Sequence, residues 1–208
     1  MNLSPVKSKG GGDCLFDSVR IALASIGLVT SVTLLRKAVA VSLLDKHDKV
    51  ANQYLLQWAT IYADAVRNGE ADIVQEYSYM APLFPDVTTV VHFPLNRQQR
   101  VLLANEIMKS SFFGEEYSLR VLQQVLKMNI VVVDEEGEPC YQYEDKLRRK
   151  GLMFLQLVGI HYKPLQNSGK YIWQWSELPE EVQSILSHLK PRGTKILEKL
   201  HMVKRKRH

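Results

Sequence analysis

The stretch of sequence that decides the fold is residues 10–18, GGGDCLFDS. Glycine accepts positive φ angles and lets another backbone come close, so three glycines in a row predict a tight turn. Apolar residues then recur at the three- and four-residue spacing of a helix: Phe16, Val19, Leu23 and Ile26. Gly27 follows where such a helix would end. The pattern therefore places Cys14 in the first turn of a helix that packs into the core.

The position of Cys14 suits nucleophilic chemistry. The start of a helix carries the positive end of the helix dipole and unbonded N–H groups, and both favour a thiolate over a thiol. The thiolate is the nucleophilic form, and the same backbone amides could hold the oxyanion of an acyl-transfer intermediate. Taken alone, however, a buried cysteine is more often a small apolar residue of the core. A second residue is needed to decide between these interpretations.

His161 is the candidate for that second residue. It follows residues 152–160, a nearly continuous apolar run that is typical of a central strand buried on both faces. We expect His161 to close this strand on the face of Met153, Leu155 and Leu157, next to a loop. An imidazole there can form an ion pair with a thiolate and later protonate a leaving amine. The alternative is a structural histidine that hydrogen-bonds the backbone at the end of a strand.

The remaining pattern places helices early and strands late. Helical spacing is found around residues 33–43, 54–68, 101–108 and 115–128, with a proline-broken stretch at 78–96. Strand patterns follow at residues 129–133, 141–143, 152–160 and 171–175. This order predicts an α/β (α+β) fold in which helices flank a small central β-sheet.

Composition narrows the class of protein. The chain has 208 residues, of which 46% are hydrophobic, and it suits one globular domain. Its two cysteines, Cys14 and Cys140, are too few for a disulfide framework or a common structural zinc site. Because there is no apolar run of membrane length and no signal-peptide pattern at the start, we expect a soluble, intracellular protein. We also expect it to be a monomer.

The positive charge is concentrated at the C-terminal end. The net charge is +5, yet Lys190–His208 alone holds eight Lys or Arg and one Glu. Such a segment suits a nuclear-import signal or contact with nucleic acid or an anionic membrane. A solvated chain end is the simpler interpretation and the one we favour. We predict a domain over residues 1–175 and a C-terminal helical appendage with a basic tail over residues 176–208.

Three motifs together resemble a known family. Cys14-Leu15-Phe16 follows the glycine turn, Phe113-Gly114-Glu115-Glu116 precedes a helix and a strand, and His161-Tyr162 closes an apolar strand. This order is similar to that of the ovarian tumour (OTU) domain cysteine proteases. The first motif of that family reads Asp-Gly-Asn-Cys-Leu-Phe, and its last is an apolar strand closed by His-Tyr. The resemblance extends from about residue 10 to about residue 175.

The resemblance implies a cysteine-protease-like fold and a deubiquitinase. Such a thiol hydrolase removes ubiquitin, or a ubiquitin-like modifier, from conjugates without a metal or other cofactor. Cys14 would be the nucleophile, His161 the general base, and the backbone of Gly11, Gly12 and Asp13 the oxyanion loop. The expected partners are ubiquitin or polyubiquitin chains. The expected compartment is the cytoplasm, that of a host cell if the protein is viral or a bacterial effector, with Lys204–Arg207 allowing entry to the nucleus.

Two positions differ from the family pattern and keep alternatives open. Gly11 stands where the family usually has an aspartate, and Lys163 stands where an Asp or Asn commonly orients the imidazole. Lysine donates hydrogen bonds only, so Lys163 cannot accept the ring N–H. Asn167 is the remaining sequence candidate for a third member. One alternative is a catalytically impaired OTU-like protein that binds ubiquitin; a less favoured one is a nucleic-acid-binding protein that uses the basic segment.

Overall fold

The structure is a computed structural model that describes residues 2–86, 89–142 and 151–187. It divides into two compact units. The sheet unit contains the described residues of 1–9, 17–29 and 123–208, and the helical unit those of 10–16 and 30–122. In the described part of the chain, no helix is both long enough and apolar enough to cross a membrane.

The chain forms seven α-helices within the described residues. In chain order they are α1 (Cys14–Ala24), α2 (Val32–Ser42), α3 (Lys49–Asn68), α4 (Ala71–Glu76), α5 (Arg97–Ile107), α6 (Glu116–Leu126) and α7 (Glu180–Ile185). Short 3₁₀ turns add Gly11–Asp13, Ser78–Leu83 and Trp175–Glu177. Helices α1 and α6 begin in the helical unit and end in the sheet unit. The four predicted helices between residues 33 and 128 are confirmed within a few residues.

All described strands belong to the sheet unit. They are β1 (Ser4–Pro5), β2 (Asn129–Val133), β3 (Pro139–Gln142), β4 (Leu152–Val158), β5 (His161–Gln166) and β6 (Ile172–Trp173). The sheet order is β1-β5-β4-β2-β3, with β6 paired to β4. Only the β2–β4 pair is parallel among these strands. Strand β2 is buried along its whole length, as expected of a parallel pair covered on both faces.

The predicted strand over residues 152–160 is shorter than expected. Strand β4 ends at Val158, and Gly159 turns the chain with a φ of 58°. His161 therefore begins β5, directly opposite Val158, instead of closing β4. The sequence prediction missed this turn because Ile160 is apolar, although the structure leaves it 72% exposed.

The turn also changes the face on which His161 lies. Directly opposite residues of an antiparallel pair project to the same side of the sheet, so His161 shares the face of Val158. Phe154 lies on that same face of β4, because alternate residues of a strand point the same way. The predicted common face with Met153, Leu155 and Leu157 is therefore wrong.

Helices cover the sheet within its own unit. On one side, a buried cluster joins Phe154 and Trp173 to Leu186, and Val182 of α7 packs against the same cluster. Ser18 of α1 donates from its hydroxyl to the Tyr162 carbonyl oxygen of β5, at 3.0 Å. The expected α/β class, with a small sheet flanked by helices, is confirmed.

The predicted C-terminal appendage is described only in part. Helix α7 includes Val182, whereas Lys190–His208 lie outside the described residues. The interpretation of that segment as a basic tail, and the nucleic-acid hypothesis that depends on it, remain predictions. So does the domain division after residue 175.

The helical unit is built around an aromatic core. Trp58 of α3 makes edge contacts with Tyr79 and Tyr117, at centroid distances of 5.5 Å in both cases.

Two helices of this unit begin or end at residues that are typical of helix ends. The Ser31 hydroxyl accepts the Leu34 N–H at the start of α2, and Gly69 ends α3 with a φ of 72°.

Candidate active site

The glycine turn leads directly into α1, as predicted. Residues Gly11–Asp13 form a 3₁₀ turn in which Gly11 has a φ of 66°, and Cys14 is the first residue of α1. The Cys14 N–H donates to the Gly11 carbonyl oxygen. Cys14 is only 1% exposed, and the next two residues of the helix are fully buried. The turn and the buried start of the helix fix the backbone position of the thiol within the helical unit.

Gly12 is fixed by contact with another segment. Its N–H donates to the Ser110 carbonyl oxygen at 3.1 Å. A Cβ at Gly12 would overlap the carbonyl oxygens of Ser110 and Phe112, both of which are backbone atoms that cannot move aside. Residue 12 must therefore be glycine for the turn to lie against residues 110–112. The same contact occupies the Gly12 amide, one of the predicted oxyanion donors.

Asp13 is held by a buried arginine that sequence reasoning missed. Arg36 of α2 donates from Nε and Nη2 to Asp13 Oδ1, at 3.0 and 2.9 Å. It also donates to the carbonyl oxygens of Ile107 and Phe112, at 2.7 and 3.1 Å, and lies 4.5 Å from the centroid of the Phe16 ring. Burial lowers the pKa of Arg36, while its hydrogen bond to Asp13 and the charge of that carboxylate act in the opposite direction. The guanidinium thus links the turn before Cys14 to the C-terminal end of α5 at Ile107 and to the segment at Phe112.

The Phe113–Glu116 motif lies against the beginning of α1. Gly114 packs so closely on the Leu15 side chain that a Cβ there would overlap it. The next residue, Glu115, accepts a 2.6 Å hydrogen bond from the Tyr79 hydroxyl. Burial raises the pKa of Glu115 to about 7, and the hydrogen bond from Tyr79 limits the rise. The motif therefore brings a carboxyl group that titrates near neutral pH into the helical unit.

His161 lies in the sheet unit, at the first position of β5 and partly exposed. Its Nε2 is 3.1 Å from the hydroxyl oxygen of Ser8. Ser8 is 5% exposed, and its hydroxyl also lies 2.6 Å from the Tyr162 carbonyl oxygen. The polar side chain beside the imidazole thus comes from the N-terminal segment, which no sequence signal had singled out.

The other residues considered from the sequence lie elsewhere. Asn167 forms an isolated backbone bridge with Lys170, and its side-chain oxygen accepts from the Ser168 hydroxyl at 3.2 Å. Lys163 shares the His161 face of β5, two residues further along the strand. Cys140 is exposed on β3. Both cysteines belong to the described residues, and neither forms a disulfide.

The structure thus assembles two groups of residues. One contains the glycine turn, Asp13, Cys14 and Arg36, all in the helical unit; the other contains His161 and Ser8, both in the sheet unit. The roles of Cys14 as nucleophile and His161 as base remain predictions. Arg36 has one sequence signal in retrospect, because it is a charged residue inside the apolar stripe of α2, between Leu35 and Val39.

Comparison with known proteins gives one family and several solved structures. The family model for OTU-like cysteine protease matches residues 9–176. An OTU domain solved in complex with ubiquitin is 19% identical with a TM-score of 0.52, covering 90% of this chain and 83% of that one. At this level of identity, the likeness supports the fold.

Two further structures come from a bacterium and a virus. An OTU deubiquitinase from Wolbachia pipientis wMel is 14% identical, with a TM-score of 0.47, over 88% of this chain and 96% of that chain. The viral OTU domain protease from Farallon virus is 13% identical, with a TM-score of 0.41, over 79% and 83%. No curated protein sequence matches this chain. The family model covers most of the 208 residues, so the chain belongs to the OTU-like cysteine protease family.

Proposed function

We propose that this protein is a deubiquitinase, a cysteine isopeptidase that removes ubiquitin or a ubiquitin-like modifier from lysine side chains. Cys14 is the nucleophile and His161 the general base. The observation that carries the proposal is the position of Cys14, the first residue of α1 directly after a turn held by backbone contacts and by Arg36. Membership of the OTU-like family supports the reaction class, and the OTU domain solved with ubiquitin supports the substrate class.

The proposed reaction proceeds through a thioester. The imidazole of His161 takes the proton of Cys14, and the thiolate attacks the carbonyl carbon at the C-terminus of the modifier. The imidazolium then protonates the lysine nitrogen as the C–N bond breaks, which releases the amine. Water, deprotonated by the same imidazole, attacks the thioester and releases the carboxylate and the original thiol. No metal or redox partner is needed to balance these steps.

The tetrahedral intermediate needs hydrogen-bond donors near Cys14. The Gly12 N–H donates to Ser110 and the Cys14 N–H donates to Gly11, so both amides already have partners. We propose that the backbone of Gly11–Asp13 forms the oxyanion loop, with the Gly12 contact setting its path. Preorganised donors of this kind commonly supply a large part of the rate enhancement in acyl transfer.

A ubiquitin probe with a C-terminal electrophile tests the proposal directly. We expect intact mass spectrometry to show one covalent adduct on the wild-type protein and none on Cys14→Ala. Cys140→Ala is the matched control, because it removes the other, exposed cysteine and should leave the adduct unchanged. Adduct formation that survives Cys14→Ala, or that is lost in Cys140→Ala, would contradict the assignment.

A second candidate function is binding without catalysis. It is favoured by Lys163, which shares the strand face of His161 and can only donate hydrogen bonds. Under this alternative the protein retains ubiquitin without forming the adduct and cleaves no linkage-defined ubiquitin dimer. Cleavage of any such dimer by the wild-type protein, lost in His161→Ala, would rule it out.

A further inference from the structure

The N-terminal segment runs along the edge of β5. Ser4 and Pro5 pair with Gln166 and Leu165, and the Val6 N–H donates to the Pro164 carbonyl oxygen at 2.9 Å. Beyond this pairing the chain reaches the beginning of β5 at Ser8, whose hydroxyl oxygen lies 2.6 Å from the Tyr162 carbonyl oxygen and 3.1 Å from His161 Nε2.

The two contacts of the Ser8 hydroxyl determine where its single proton lies. The Tyr162 carbonyl oxygen, 2.6 Å from Ser8 Oγ, can only accept a hydrogen bond, so Ser8 must be the donor there. The hydroxyl then has only lone pairs left for the ring of His161. The 3.1 Å contact between Ser8 Oγ and His161 Nε2 is consequently a hydrogen bond only if Nε2 carries a proton.

We propose that Ser8 is the positioning residue for His161: it accepts the Nε2–H and so leaves the lone pair of the neutral imidazole on Nδ1. The Ser8 hydroxyl already donates its only proton to the Tyr162 carbonyl oxygen, so it can be the acceptor that Lys163 cannot be. The geometry lies entirely within the sheet unit. Only the catalytic consequence rests on the proposed function: Nδ1 would be the atom that exchanges the proton with Cys14.

Ser8 is held on both sides of its contact with the ring. The Ser18 hydroxyl donates to the same Tyr162 carbonyl oxygen at 3.0 Å, which uses the second lone pair of that oxygen. The next residue, Lys9, donates its N–H to Asp17 Oδ2 at 2.9 Å. Ser18 and Asp17 both lie near the start of α1, so Ser8 is held between α1 and β5. An acceptor held in this way can fix the orientation of an imidazole as well as its tautomer.

The first test measures the ring protons of His161 and needs no activity. In a ¹⁵N-labelled full-length protein, with His161→Gln used to assign the signals, we expect the neutral ring to carry its proton on Nε2. That proton should exchange slowly with water in the wild type. It should exchange at least tenfold faster in Ser8→Ala but within about twofold of the wild-type rate in Ser4→Ala, which removes a hydroxyl of the same segment that contacts Gln166 and does not touch the ring. A proton on Nδ1 in the wild type, or equal exchange rates in wild type and Ser8→Ala, would overturn the proposal.

The second test measures hydrolysis of a fluorogenic ubiquitin amide. We expect kcat of Ser8→Ala to fall about tenfold with KM unchanged, because a tenfold change in rate corresponds to the free energy of about one neutral hydrogen bond. Ser4→Ala should stay within about twofold of wild type. An unchanged kcat in Ser8→Ala would refute the positioning role. If the wild-type protein hydrolysed nothing, the proposed function would fail while the ring measurement would still decide the role of Ser8.

Discussion

Replacing Arg36 by lysine would test whether the guanidinium holds the turn before Cys14. The side chain of Arg36 is 3% exposed and makes four hydrogen bonds, two to Asp13 Oδ1 and one each to the carbonyl oxygens of Ile107 and Phe112. A lysine keeps the charge, but its single ammonium group cannot reach all three acceptors in the planar arrangement that a guanidinium offers.

The expected cost follows from the bonds that are lost. Arg36→Lys removes two or three hydrogen bonds from a charged donor, each worth about 1.5–3 kcal/mol. Part of this is recovered where the ammonium forms one new bond and where water reaches Asp13, whose side chain is 25% exposed. We therefore expect the free energy of unfolding to fall by about 3–5 kcal/mol.

Urea unfolding followed by tryptophan fluorescence measures this loss. Arg67→Lys is the matched control, because Arg67 pairs with Asp64 at 2.8 Å but the two side chains are 65% and 52% exposed. An exposed pair contributes little, so this control should change the free energy of unfolding by less than about 0.5 kcal/mol. A loss below about 1 kcal/mol in Arg36→Lys would refute the structural role assigned to the guanidinium.

Two further substitutions test the neighbouring features. Gly12→Ala should disrupt the glycine turn and lower ubiquitin-probe labelling at least tenfold, because the added Cβ overlaps backbone oxygens. Gly10→Ala is the control and should label like wild type, because a Cβ there meets no atom within 4 Å. Equal labelling of both variants would contradict the close contact at Gly12. The pKa of Glu115 is about 7 in the folded protein, against 4.5 for the ordinary group, so the folded protein binds more protons than the unfolded chain between these two pH values. The protein therefore loses up to about 3 kcal/mol of stability as the pH rises from 4.5 through 7. Glu115→Gln should abolish this loss in urea unfolding between pH 4.5 and 8, whereas Glu116→Gln, at its exposed neighbour, should keep it; a wild-type slope in Glu115→Gln would show that another group is responsible.

Most of the secondary structure was predictable because local signals agreed with the tertiary contacts. Glycine at the C-terminal end of α3 and a serine cap on α2 satisfy backbone groups that any helix leaves unpaired. Helix faces were less predictable. Val125 of α6 is apolar and yet 57% exposed, while Arg100 of α5 is 1% exposed because the carbonyl oxygens of Leu43 and Leu95 accept from its guanidinium. Hydrophobicity alone cannot anticipate a charge that finds its partners in a distant segment.

The candidate site was predictable only where its chemistry is carried by local sequence. The thiol at a helix start after a glycine turn could be found because turn, helix and Cys14 are consecutive. His161 could be found as the polar residue after an apolar run, but its strand and face could not, because a two-residue hairpin turn reverses the alternation. Ser8 and Arg36 could not be found, since each acts on residues far away in the sequence and serine and arginine are common at the surface.

The pairing of the N-terminal segment with β5 has a practical consequence for anyone preparing this protein. The family match starts at residue 9, so a recombinant form trimmed to that boundary would keep Cys14 and His161 while discarding β1 and Ser8. It would also uncover the hydrogen-bonding edge of β5, which is the kind of surface that recruits a second chain. Low solubility or low activity in such a shortened form would then reflect the trimming and say little about the untrimmed protein.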